Sequence, residues 1–143
     1  MKRLILCFIY LIFLSVSLRA EKNEGITYRD SILILAESMP SDTARLAYLQ
    51  SMAYCHQYFP YNRYFATALY EEAKRQKNIF YENEGAYYLA GYYDKKHDPD
   101  SLTYWVNELK KYAPEVGTYD YYLEQKAAIS RALASKRQGE KAG

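Results

Sequence analysis

Residues 66–78 read ATALYEEAKRQKN and residues 102–114 read LTYWVNELKKYAP. Laid one on the other, Ala66, Tyr70, Ala73 and Asn78 fall on Leu102, Val106, Leu109 and Pro114, an offset of 36 residues (102 − 66). In both segments apolar residues recur at intervals of three and four, the period of one face of an α-helix. No stretch beyond residue 20 keeps the strict alternation of a half-buried strand, so the chain reads as all-α with an internal repeat.

Working outward, the spacing predicts a helix from about Tyr28 to Ser38, with Ile32, Leu35, Ala36 and Met39 on or near one face and Pro40 ending it. A second begins near Asp42 or Thr43 and carries Leu46, Leu49, Met52, Ala53 and His56. Pro60 and Asn62 mark the next turn. A third, about Arg63 to Gln76, ends among Lys74, Arg75 and Lys77, where helix C-termini favour cations, and Asn78 is read as its terminator. The helix from Ile79 to Lys96 aligns Ala86, Leu89, Ala90 and Tyr93. Asp98 then has the chemistry of an N-cap and Pro99 that of a first helical residue, whose missing N–H costs nothing. The next helix, about Asp100 to Tyr112, is expected to bury Leu102, Trp105, Val106 and Leu109 and to stop before Pro114. Gly117 and Thr118 supply a turn and cap for a last helix, Tyr119 to about Ser135. The tail, 136–143, has no apolar residue except Ala142 and is expected to be frayed or disordered.

The N-terminus has the layout of an export signal: Lys2 and Arg3, an apolar run from Leu4 to Leu14, then Ser15, Ser17 and Ala20. That run is short of the roughly 20 apolar residues of a membrane-spanning helix, so cleavage is expected in preference to an uncleaved anchor. Both a cut after Ser17 and one after Ala20 stay open. Removing residues 1–20 takes away Lys2, Arg3 and Arg19, leaving 16 basic residues of 19 against 17 acidic ones, about −1. The basic balance therefore belongs to the leader, and the electrostatic case for a nucleic-acid partner goes with it. Cys7 would leave too, making an internal disulfide impossible, and Cys55 reads as a small buried residue. The organisation is thus a signal peptide (1–20), a leader with an opening helix (21–41), helical repeats (42–135) and a tail.

The helix pairs 42–77 and 79–113 resemble tetratricopeptide repeats, which have a period of about 34 and pair two antiparallel helices. Ala86, Leu89, Ala90 and Tyr93 resemble the first-helix signature in spacing, Leu49, Met52, Ala53 and His56 resemble it less closely, and Pro114 matches the closing proline. The first-helix tryptophan is absent, and Leu102 and Leu109 stand where small residues are usual. The resemblance implies a short right-handed α-solenoid whose first helices line a concave groove. The matching groove positions are Tyr54, Gln57 and Tyr58 in one repeat and Glu84, Tyr87, Asp94 and Lys95 in the next. The stretch from Asp30 to Tyr54 also resembles the start of the extracytoplasmic repeat regions of some bacterial sensor histidine kinases. With no kinase histidine box or ATP site in the sequence, that second resemblance implies a sensor input region or a truncated remnant.

Catalytic patterns are missing from the sequence. Cys55 and His56 are neighbours on a helix and point about 100° apart, which does not suit a nucleophile–base pair. His97, Asp98 and Asp100 lack metal-ligand spacing, and Asp98 and Pro99 are explained as a helix start. The pairs Glu71 with Glu72 and Glu82 with Glu84 lie too close in sequence to flank a substrate bond and read as solvated charges. Gly85 and Gly91 sit in a helical pattern, where glycine permits close helix contact. The composition is distinguished by 18 tyrosines, 17 of them after residue 20, whose rings serve packing and recognition alike. The expectation is an exported protein, periplasmic or at the cell surface, that binds a protein or peptide, with no catalytic residue, metal or cofactor. Its oligomeric state is left open.

Overall fold

The computed structural model describes residues 28–142, and the expected signal at 1–20 lies outside them. Six helices account for most of the described chain: α1 (Tyr28–Ser38), α2 (Thr43–Cys55), α3 (Asn62–Gln76), α4 (Ile79–Lys95), α5 (Pro99–Val116) and α6 (Tyr119–Ala142). The described residues contain no strand. Two compact units divide between Ile32 and Leu33. Of the first, only the opening of α1 is described, where Arg29 Nε donates to Asp30 Oδ1 at 2.6 Å. The second unit holds α2 to α6.

Its core is one apolar stripe per helix. Leu46, Leu49 and Ala53 come from α2, Phe65, Ala66, Leu69, Tyr70 and Ala73 from α3, and Ala86, Leu89 and Ala90 from α4. Leu102, Val106, Leu109 and Ala113 come from α5, and Tyr122, Ala128 and Ala132 from α6. From α2 to α6 each helix packs on its neighbour in sequence, and α4 also touches both α2 and α6. Of the residues that recur 36 positions apart, Ala66, Tyr70, Ala73, Leu102, Val106 and Leu109 are all at most 3% exposed, so the recurrence is a repeated buried stripe. The match fails at its end. Asn78 caps α4, whereas Pro114 lies inside α5.

The corners after α3, α4 and α5 share one construction. Lys77 (φ 56°), His97 (φ 54°) and Gly117 (φ 77°) are left-handed and stand 20 residues apart (97 − 77, 117 − 97). The following N–H reaches back five residues each time: Asn78 to Ala73 at 2.9 Å, Asp98 to Tyr93 at 3.2 Å, Thr118 to Ala113 at 2.9 Å. This satisfies carbonyls that a helix end leaves without partners. The sequence reading of Asn78 as terminator is corrected here: Lys77 ends α3, and the Asn78 side chain accepts from Tyr81 N–H to begin α4. Pro114 does not end α5 either. It falls in the last turn, where its missing N–H deprives only the carbonyl of exposed Lys110, which water can serve, and Gly117 sets the true end.

Asp98 is the N-cap the sequence predicts, accepting from Ser101 N–H at 3.1 Å and from Ser101 Oγ at 2.7 Å. These bonds hold its carboxyl below the ordinary value. Asp98→Ala should therefore cost about 0.5–2 kcal/mol at neutral pH. Because the folded value is the lower one, the stabilisation is complete above the unfolded-state value of about 4 and vanishes as pH falls through the folded value. Asp98→Asn keeps an acceptor but loses that pH dependence. Denaturant midpoints of the three proteins, followed from neutral pH into acid, check both statements.

Other residues depart from expectation. Helix α6 continues to Ala142 through the tail expected to be disordered; 136–142 are all exposed but rich in Lys, Arg, Gln, Glu and Ala, which propagate a helix readily. Cys55 is exposed, because two residues beyond buried Ala53 it sits about 200° around the helix. Trp105 and Tyr93 are half-buried, with Trp105 edge-on to Tyr70 at 5.0 Å between ring centroids. Glu72 is buried, not solvated: it accepts from Ser41, from Arg45 at 3.2 Å and from Gln76 at 2.7 Å, and it pairs with Arg75. Arg45 also caps the C-terminal end of α1 through the carbonyls of Glu37 and Met39.

Candidate functional site

Along α4, residues 84, 87, 88, 91 and 95 follow the three-and-four spacing of one helix face, and that face meets α2 on one side and α6 on the other. Side chains join the three helices. Gln50 Nε2 donates to Glu84 Oε2 at 2.9 Å, which buries Glu84 and corrects the reading of it as a solvated charge. Lys95 Nζ donates to the Gln57 carbonyl at 2.8 Å and lies 4.5 Å from the centre of the Tyr58 ring, fixing the segment between α2 and α3 against α4. Tyr87 stacks on Tyr121 of α6 at 4.8 Å, and Arg131 lies 3.7 Å from Asp94.

Between these links is a cavity of about 200 Å3. Gln57, Tyr58 and Asn62 form one wall, Glu124 and Gln125 of α6 another, and Tyr87, Tyr88, Gly91, Tyr92, Asp94 and Lys95 of α4 the floor. Gly91 matters because a Cβ there would meet nothing within 4 Å, so the floor stays open. Asn62 and Gln125 are buried, at 1% and 6% exposure, and Asn62 Oδ1 and Gln125 Oε1 have no hydrogen-bond partner among the described residues. Both oxygens are shut off from water, so they do not offer themselves to a ligand in the cavity.

Gln57, Tyr58, Tyr87, Asp94 and Lys95, predicted from the sequence as groove residues, are brought together on this cavity. Glu84 is on the same helix face but does not line it, and Tyr54 lies outside it, 61% exposed. Asn62, Tyr88, Gly91, Tyr92, Glu124 and Gln125 were not among the groove residues predicted from the sequence. Asn62 had read as a turn residue, and the last helix had no secure register from which to place Glu124 and Gln125.

Comparison with known proteins returns nothing. No family model, no curated protein and no solved structure matches this chain. The site therefore has to be read from its own chemistry.

Burial raises the Tyr87 and Tyr88 hydroxyls above their ordinary value, with Glu124 and Glu84 respectively the next contributors. Both phenols stay protonated near neutrality, where they act as rings and hydrogen-bonding groups. Among the described residues lining the cavity there is no His, Cys, Ser or Thr. No group of three potential metal ligands occurs among the described residues, and no helix there is long and apolar enough to cross a membrane. A second cavity of about 360 Å3, lined in part by Arg45, Glu72 and Arg75, is larger, but its buried charge is already answered by its own neighbours. His56 is occupied in packing, with its ring 5.2 Å from Phe65 and Nδ1 2.7 Å from the Met52 carbonyl.

Proposed function

We propose that this protein is a non-enzymatic helical-repeat scaffold that binds a peptide segment of a partner in the cavity formed by α4, α6 and the segment between α2 and α3. The observation that carries the reading is the cavity on which Tyr58, Tyr87, Tyr88 and Tyr92 meet Asp94, Lys95 and Glu124. A peptide brings side-chain surface for the rings and N–H donors for the carboxylates. The arrangement in which α4 touches α2 and α6 supports a short solenoid of tetratricopeptide-like helix pairs, as does the buried recurrence at 36 residues. The proposed setting outside the cytoplasm rests on the sequence of residues 1–20.

Selection from a random peptide library on the immobilised protein tests the reading, with Gly91→Leu as the counter-selecting variant. The added side chain enters the open floor of the cavity and improves helix propensity, so the fold should survive. Enriched peptides should bind the unaltered protein and fail on the variant. Peptides that hold both proteins equally, or a library that yields none, would count against the reading.

A further inference from the structure

We propose that the protein docks on an anionic phospholipid surface through the corner between α2 and α3 and the C-terminal end of α4 that packs against it. This goes beyond the peptide reading and concerns a stretch of surface beside the cavity. Two hollows of about 140 and 330 Å3 adjoin there, sharing Pro60 and Tyr92. Phe59 and Lys96 line the first with Tyr58 and Lys95 of the cavity rim, and Tyr61, Arg63 and Tyr64 line the second. Tyr58 is 81% exposed and Phe59 50%, and Pro60 is exposed as well. Large side chains left bare side by side mark a contact surface.

Charge selects an anion. Neither hollow has an acidic residue on its lining, whereas Arg63, Lys95 and Lys96 are all there and all exposed. None of the three forms an ion pair among the described residues. The hydrogen bonds they make, from Lys95 to the Gln57 carbonyl and from Arg63 to the Tyr64 hydroxyl at 3.0 Å, go to neutral groups and leave the charge unanswered. Asp94, the acid next to Lys95 in the chain, lines the cavity and lies beside Arg131, and Asp98 is held by Ser101.

The rings narrow the anion to a lipid surface. Tyr58, Tyr64 and Tyr92 each carry a cation against the ring, with Lys95 at 4.5 Å, Arg63 at 4.8 Å and Lys96 at 5.7 Å from the ring centres. Phe59 is stacked on Tyr61 at 5.3 Å. Each ring therefore has one face taken, which suits it poorly as a platform for nucleic-acid bases. An acidic peptide would answer the cations and leave Phe59 and Pro60 bare. A phospholipid surface answers both, with phosphate for lysine and arginine and acyl chain for the rings, and tyrosine beside basic residues is the combination that settles at that boundary. The contact is superficial: no described helix is long and apolar enough to cross a membrane, and the patch lies where helices end, so a plane can reach it.

Phe59→Trp places a fluorescent reporter in the patch, and the unaltered protein, whose one tryptophan is Trp105, serves as its blank. Both are titrated with vesicles of phosphatidylcholine alone and of phosphatidylcholine with phosphatidylglycerol, the acyl chains brominated to quench an inserted indole. The anionic vesicles should quench the reporter, with partition at least about tenfold stronger than into neutral ones and weakened by salt. Adding Arg63→Gln and Lys96→Gln should weaken partition by at least about tenfold, since each cation at an anionic surface is worth about fivefold, and should leave the denaturant midpoint within the range of surface changes. Phe59, Arg63 and Lys96 do not line the cavity. Gly91→Leu should therefore leave vesicle binding unchanged, so this proposal and the peptide reading fail separately. Vesicles that carry the protein without quenching the reporter, as binding through residues 1–20 would, overturn the proposal. Quenching that is equal on neutral vesicles, or that survives the double substitution, overturns it too. A reporter that answers to polyglutamate or to oligothymidylate and not to vesicles gives the patch to an acidic protein or a nucleic acid instead.

Discussion

Leu109→Ala should cost about 2–5 kcal/mol of folding stability, toward the upper end of that range. Leu109 is fully buried on α5. The price of a cavity depends on how far the surroundings can collapse into it, and here the backbone is pinned from outside the helix. Asn83 Nδ2 donates to the Leu109 carbonyl at 2.7 Å, and Thr118 Oγ1 donates to Asn83 Oδ1, so α4, α5 and the corner into α6 are held at one buried amide. A helix held this way cannot slide inward to fill the space. Urea midpoints measure the loss. A change below about 0.5 kcal/mol, the level of an ordinary surface substitution, would contradict the buried repeat stripe.

Gly85→Ala is the second large effect, and its sign opposes helix propensity. A Cβ at Gly85 would lie 2.8 Å from Tyr70 Cβ and 2.9 Å from Tyr70 Cα and N. The obstruction is the backbone of α3, which cannot rotate away as a flexible side chain would, so α3 and α4 must part. Overpacking of this kind costs about 1–3 kcal/mol and exceeds the gain of about 1 kcal/mol that alanine brings to a helix interior. Gly91→Ala, on the same helix with no neighbour to strike, should instead be stabilising by up to about 1 kcal/mol. Thermal or denaturant unfolding of the two variants should move in opposite directions. Movement in the same direction would show that the close approach at Tyr70 is wrong.

What the sequence disclosed was mostly local. Helix α1 and the Asp98–Pro99 start of α5 follow from residues adjacent in the chain, and the period of three and four marks the stripes that become core. The last residue of α3, Gln76, was legible, but its terminator escaped because a left-handed lysine carries none of the cues a glycine would; the hydrogen bond from Asn78 back to Ala73 selects Lys77. Pro114 misled because the cost of proline depends on its distance from the helix end, which Gly117 sets. Glu72 read as solvated because its partner Arg45 is distant in sequence and marked by no period. The same reason hides the cavity's polar walls. Gln57, Tyr58, Tyr87, Asp94 and Lys95 were reachable through a repeat pattern, whereas Asn62 and Gln125 reach the cavity through tertiary packing that no period marks.

The proposed binding takes place over Gly91. The direct measurement is the dissociation constant of one selected peptide for the unaltered protein and for Gly91→Leu, taken beside their denaturant midpoints. Binding should weaken by at least about tenfold, or ~1.4 kcal/mol, with a midpoint equal or higher in the variant. An unchanged dissociation constant at an unchanged midpoint would place the binding surface elsewhere and contradict it.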